Sequence, residues 1–240
     1  MRPVHRRDNP TSGDFVDYRD AYPYLHSRLG TYCSYCERCI HTSLAVEHIQ
    51  PKGLLQYAGL SGRWENFLLA CVNCNSTKGD KDVMLDLLYF PDRDNTFVAL
   101  EYTADGRIIP ATHLNAVQKQ IATRTLELTG LEKQVRQTLD ENGNLVAMDR
   151  ISQRMEVWAE AEEALSDLLS NPSDTVRGLI VKNVRAHGFF SIWMKIFEGD
   201  IEMRQRFINA FPGTARDCFD SNTLPVTPRP ANGLAHAGKI

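Results

Sequence analysis

Four cysteines fall into two Cys-x-x-Cys pairs, Cys33/Cys36 and Cys71/Cys74. Glu47-His48 and Trp64-Glu65-Asn66 lie between the pairs, and Asn75 and Lys78-Gly79 follow the second. Zinc in a structural site takes four ligands in a tetrahedron, and thiolates suit it. Two such pairs make a closed site with no open position for water. Cys33, Cys36, Cys71 and Cys74 are therefore expected to hold a structural Zn²⁺ that shapes the fold. Cys39 and His41 are nearby alternatives with less regular spacing, and Cys218 stands alone as an ordinary apolar residue. In a reducing compartment paired motifs of this kind hold metal more often than they form disulfides.

Glu47-His48 closes a short apolar run, residues 43–49, that reads as a strand ended by Pro51 and Gly53. Neighbours on a strand point to opposite faces. Glu47 and His48 can serve one site only if the chain bends there, and Pro51 makes such a bend plausible. One of the two can then bind a metal while the other acts as a base. Residues 63–70 lead into the second knuckle. Residues 75–88 read as a helix whose first turns Gly79 weakens, so the segment runs strand, loop, helix.

The flanking chain must position these groups. Residues 1–12 are basic and polar and read as an extended, frayed arm, with Arg2, Arg6 and Arg7 as possible phosphate or partner contacts. Residues 18–29 have helical spacing at Tyr18, Tyr22 and Leu25, with Pro23 forcing a break or a late start and Gly30 a stop. Residues 91–95 read as a loop, with a second metal site there weakly supported. Residues 95–111 predict a β-hairpin turning at Asp105-Gly106. A helix from Leu114 ends at Thr129-Gly130, a second is expected over 131–139, and Asn142-Gly143-Asn144 is a turn. Residues 151–169 are strongly amphipathic. Ser173 is an N-cap for a helix over 175–197, and residues 202–211 form a last short helix. Residues 222–240, rich in proline, glycine and alanine, predict a disordered tail.

The chain of 240 residues is 42% hydrophobic and 24% charged, an ordinary globular balance. It carries a formal net charge of −3, whereas a protein that grips nucleic acid unaided usually shows a basic surplus. Any basic surface is then local or supplied by a partner. Neither a signal-peptide pattern nor a run long enough for a membrane span is visible, which reads as a cytoplasmic protein without membrane contact.

Cys33-x-x-Cys36, Glu47-His48, Asn66 and Cys71-x-x-Cys74-Asn75-x-x-Lys78 together resemble the HNH (ββα-metal) endonuclease family in its four-cysteine zinc form. The resemblance implies that Glu47 and Asn75 bind a catalytic divalent ion, that His48 is the general base activating water, and that Asn66 holds the loop carrying His48. Asn75 replaces the family's name-giving final histidine, which favours a hard ion such as Mg²⁺ or Mn²⁺ over Zn²⁺ at that position. Lys78 is a candidate phosphate contact, with Arg63 and Lys52 weaker ones, and Trp64 reads as core packing. The opening Met-Arg-Pro, the Glu-His-Ile-Gln-Pro-Lys run and the stretch from Trp64 to Asp80 further resemble HNH proteins of bacterial anti-phage systems. Those are the Septu nuclease subunit and the retron-associated nucleases, which work with an ATPase subunit.

The expected fold is α+β: a zinc-stapled ββα-metal domain with its following hairpin over 1–112, a helical packing or partner-binding region over 113–221, and a tail over 222–240. The expected function is metal-dependent hydrolysis of DNA phosphodiester bonds within a defence complex. The alternatives are a stand-alone restriction or toxin nuclease and a non-catalytic zinc-stapled binding module.

Overall fold

A 3₁₀ turn at Tyr18–Ala21 runs into helix α1 (Tyr22–Leu29). Pro23 sits in its first turn, where a missing N–H costs nothing, so the proline marks the late start the sequence allowed. The computed structural model describes residues 1–133 and 150–240. Strand β1 (Leu44–His48) pairs antiparallel with β2 (Phe67–Cys71), with Val46 opposite Leu69 and His48 opposite Phe67. All five residues of β2 are buried, which explains its unbroken Phe-Leu-Leu-Ala-Cys run in place of an alternating pattern. β2 passes directly into helix α2 (Val72–Lys78). The two strands and this helix form the ββα unit, and α1 packs on β2.

Helix α2 is shorter than the expected helix over 75–88. Gly79 takes a φ of 50° and its N–H closes on the Asn75 carbonyl, a stop that a residue with a Cβ adopts only at a steric cost. The hairpin expected over 95–111 is also modified. Helix α3 (Thr96–Ala99) occupies its first part, and only β3 (Leu100–Tyr102) and β4 (Ile108–Pro110) pair. Helix α4 (Ala116–Thr129) starts at a capping box, Asn115 with Gln118, and ends at left-handed Gly130. The turn expected at 142–144 lies outside the described residues, as does most of the helix expected over 131–139.

Helix α5 (Arg150–Ser170) is amphipathic but buries Val157, Ala161, Ala164 and Leu168. Of the expected apolar face, Met155, Trp158, Leu165 and Leu169, only Trp158 and Leu165 are partly buried, and Met155 and Leu169 are exposed. Ser173 caps helix α6 (Asp174–His187) by accepting from Val176 N–H. The single helix expected over 175–197 is split. Gly188 and Phe189 take φ values of 82° and 53°, and helix α7 (Phe190–Ile196) begins anew. The break has a partner: Phe189 N–H donates to the Glu37 carbonyl beside the first knuckle. Helix α8 (Ile201–Ala210) follows an Asp200 cap, and Trp193, Phe197 and Phe207 pack edge to face between α7 and α8. Such side chains contribute roughly 1.5–3 kcal/mol each on burial.

Both chain ends depart from expectation. Residues 1–12 are not a frayed arm: Arg2, Val4 and Arg6 are buried. Arg2 donates to the Pro212 and Leu29 carbonyls, and Arg6 to those of Phe67 and Glu65. Residues 222–240 are not a loose tail either. Thr223 and Arg229 are buried, Arg229 donates to the carbonyls of Pro91 and Val4, and Asn232 donates to that of Asp92. The loop at 91–95 is a buried hub, with Asp92 paired to Arg6 and Arg93. Buried contacts also cross the boundary placed at 112/113, because α4 packs on α2 and β4. No described helix is long and apolar enough to cross a membrane.

Candidate active site

The first knuckle is shaped by backbone bonds. Cys33 N–H donates to the Arg38 carbonyl, and Ser34 N–H to that of Leu69 on β2. The second knuckle opens α2. This brings the sulfurs of Cys33, Cys36, Cys71 and Cys74 within 4.8 Å of one another, all buried. Cys39 and His41 lie apart from them, their side chains facing each other at 3.7 Å. The surroundings suit a thiolate–metal centre. Arg38 donates to the sulfurs of Cys36 and Cys71, both at 3.5 Å, and Arg150 on α5 reaches that of Cys74 at 3.8 Å. Cys71 N–H points at the Cys33 sulfur at 3.4 Å. Four converging sulfurs amid cationic donors are a donor set that can bind zinc.

A separate cavity of about 180 Å³ opens where β1 ends, and Glu47, His48, Lys52, Asn75, Lys78 and Asp80 border it with Tyr18, Val46, Pro51 and Gly79. The ladder stays regular through His48 and the chain bends immediately afterwards, so Glu47 and His48 reach one cavity from successive strand positions. The His48 ring is wedged edge-on against Tyr18 and Phe67, with centroids 4.8 and 5.1 Å away. Its Nε2 lies 3.0 Å from the Ser61 carbonyl oxygen. A carbonyl only accepts, so Nε2 carries the proton and Nδ1 keeps a lone pair. Burial lowers the His48 pKa from its ordinary value, with the Ser61 carbonyl opposing, so the ring is neutral at pH 7.

Asn66 holds the loop behind this histidine. Its Oδ1 accepts from Gln50 N–H at 2.8 Å, and its Nδ2 donates to the carbonyls of Gln50 at 2.9 Å and Leu60 at 3.3 Å. Its own carbonyl accepts from Ile49 N–H. One side chain thus ties the segment after His48 to the segment that supplies the Ser61 carbonyl.

Glu47 is buried, and its Oε1 accepts from Tyr35 at 3.3 Å and pairs with Lys78 Nζ at 3.0 Å. Burial pushes its carboxyl up to about 7, while Lys78 and Tyr35 pull it down. Lys78, a candidate phosphate contact in the sequence, is itself 2% exposed and held by Glu47. Lys52 is exposed at the cavity rim, with its ammonium 3.7 Å above the Tyr18 ring. Arg63 is not brought to the cavity, and its nearest carboxylate is Asp14 at 3.7 Å. Trp64 is a core residue whose Nε1 donates to the Arg7 carbonyl. Tyr18 was read in the sequence only as part of a helical face, and Tyr35 and Asp80 were given no role at the site. Tyr35 sits inside the knuckle and Asp80 directly follows Lys78-Gly79, so proximity to the motifs was their only signal.

The segment thus joins a strand pair and a helix through four clustered cysteines, with a carboxylate and a histidine at one strand end. A family model described as HNH endonuclease matches residues 33–81, the span from the first knuckle past the end of α2. The chain therefore carries an HNH endonuclease domain in this segment, and that family implies metal-dependent nuclease activity. No curated protein matches the chain.

Proposed function

We propose that the cleft at the end of β1 hydrolyses phosphodiester bonds of DNA. The observation that carries this reading is that His48, with its Nε2 3.0 Å from the Ser61 carbonyl oxygen, borders the same cavity as Glu47 and Asn75. His48 accepts the proton of a water that attacks phosphorus, and the phosphorus–oxygen bond opposite breaks to release the leaving oxygen. A neutral imidazole at working pH is the form that can do this. Asn66 positions His48 through the loop it ties. Glu47 and Asn75, with Asp80 beside them, offer the oxygen donors a hard cation prefers, so Mg²⁺ or Mn²⁺ fits this donor set. When bound, such an ion stabilises negative charge on the phosphate and the departing oxygen.

Lys52 is the better placed phosphate contact, since Lys78 is committed to Glu47 and Arg63 lies outside the cavity. The four cysteines hold Zn²⁺ as a structural staple. The net charge of −3 and the resemblance to anti-phage HNH proteins support a nuclease subunit that acts with an ATPase partner in a defence complex.

A plasmid-cleavage assay with Mg²⁺ or Mn²⁺ tests the site. His48→Ala is expected to lose about 10²–10⁴-fold in rate while keeping its zinc and its melting transition. Cleavage by the variant at the wild-type rate would remove His48 as the base.

A further inference from the structure

Seven arginines are buried among the described residues: Arg2, Arg6, Arg93, Arg150, Arg154, Arg204 and Arg229. Six of them donate to at least one backbone carbonyl, as Arg154 does to Gly106, Arg150 to Gly130 and Arg93 to Glu65. Arg204 on α8 is the exception. It is 4% exposed, its Nε is buried without an acceptor, and its guanidinium makes no hydrogen bond or ion pair among the described residues. Its guanidinium carbon lies 6.0 Å from the centroid of the Phe97 ring. The carboxylates whose charge reaches it, Glu198 and Asp220, are engaged elsewhere. Glu198 pairs with Lys195 at 2.9 Å, and Asp220 accepts from the N–H groups of Asn222 and Leu224. A buried cation left in this way is disfavoured unless something pairs with it.

Arg204 borders a cavity of about 630 Å³ that shares no lining residue with the cleft that holds His48. Phe97, Leu100, Met194 and Leu224 give the cavity a mainly apolar wall, and the other ionisable groups around it are Glu101, Tyr102, His113, Lys195 and Glu198. Glu101 accepts from the Thr112 hydroxyl at 3.4 Å. The volume falls within the range of small-molecule sites, which are mostly apolar with a few placed polar groups.

We propose that this cavity binds a small organic anion, its ring or branched-chain body on the apolar wall and its single oxyanion head on the Arg204 guanidinium. The head supplies acceptors to a guanidinium that has none among the described residues. A guanidinium presents a planar fork of donors to a carboxylate, sulfonate or phosphate.

The experiment titrates the full-length protein with two fluorescent probes of the same ring skeleton, anilinonaphthalene sulfonate and neutral phenylnaphthylamine. Wild type is expected to bind the sulfonate at one saturable site, tighter than the neutral probe by about tenfold or more. Arg204→Met is expected to erase that preference while still binding the neutral probe and melting cooperatively. Leu224→Asp, at a position 53% exposed, keeps the fold and adds a negative charge at the cavity, so it should weaken the sulfonate selectively. Equal affinity of wild type for the two probes overturns the proposal, as does a sulfonate affinity that neither variant changes. If Arg204→Met does not fold, Leu224→Asp decides alone.

Discussion

Lys78 and Asn66 do their work at fixed distances that a substitution can test. Lys78→Met leaves Glu47 buried without its cation, and the carboxyl must then take up a proton or remain an unpaired charge. The expected cost is about 2–3 kcal/mol, read as a lowered midpoint in urea. A lysine that merely reached for phosphate from the surface would change stability by less than about 0.5 kcal/mol. Asn66→Ala strands Gln50 N–H and the carbonyls of Gln50 and Leu60, and is expected to cost about 1–3 kcal/mol. Because the same loop sets the Ser61 carbonyl against His48, plasmid cleavage should fall with it while zinc content stays unchanged. A variant that melts lower but cuts at the full rate would separate the loop from the chemistry.

At the scale of elements, α5 meets the thiolate cluster directly. Arg150 spans the Cys74 sulfur and the carbonyls of Gly130 and Asn73, and Arg38 spans the sulfurs of Cys36 and Cys71 and the Gln153 side chain. Four thiolates around one Zn²⁺ would carry a net charge of −2, which the two guanidinium groups would balance. Cys71→Ser is expected to yield protein without zinc and without a cooperative melt, because the staple is then incomplete. Arg150→Met keeps all four ligands, so it should bind zinc but lose it to a chelator, with an affinity about 10–100-fold weaker. A dye-competition assay for zinc reads both outcomes. Equal zinc retention by Arg150→Met and wild type would show that α5 only rests against the site.

Over the whole molecule, Asp92 gathers distant parts of the chain. Its carboxylate pairs with Arg6 at 2.8 Å and with Arg93, its backbone carbonyl takes Asn232, and Arg229 lies close enough for its charge to be felt. Burial pushes the carboxyl up, but Arg93, Arg6 and Arg229 together outweigh it and leave the pKa below 3.8. A depressed native pKa stabilises the fold above the ordinary value and ceases to do so as the pH falls through the native one. Asp92→Asn should therefore melt lower than wild type at pH 7, and the difference should shrink below pH 4. A gap that stays constant down to pH 3 would place the loss in packing and not in charge.

The clustering of the four cysteines was legible in the sequence because two Cys-x-x-Cys intervals are local, and the Glu47-His48 pair stood out at the end of a strand, whereas Asn66 and Asn75 were singled out only through the family resemblance. Helix α4, with its terminal glycine, was legible for the same local reason, and the start of α5 lay close to where its periodicity placed it. Strand β2 was not, since five apolar residues have no period that separates a strand from a buried helical turn. The break at Gly188 was hidden too, because it answers to the Glu37 carbonyl more than a hundred residues earlier in the chain. Arg2, Arg6 and Arg229, in stretches that read as loose, proved to be buried donors to carbonyls. Lys78 turned from the surface to Glu47, and Arg204 was left facing a cavity without an acceptor. By itself the sequence determined which chemical groups the protein owns and how the nearest of them cluster. Only the tertiary structure decided which charges are paired, buried or left open, because a charge finds its partner in space at separations along the chain that no local pattern records.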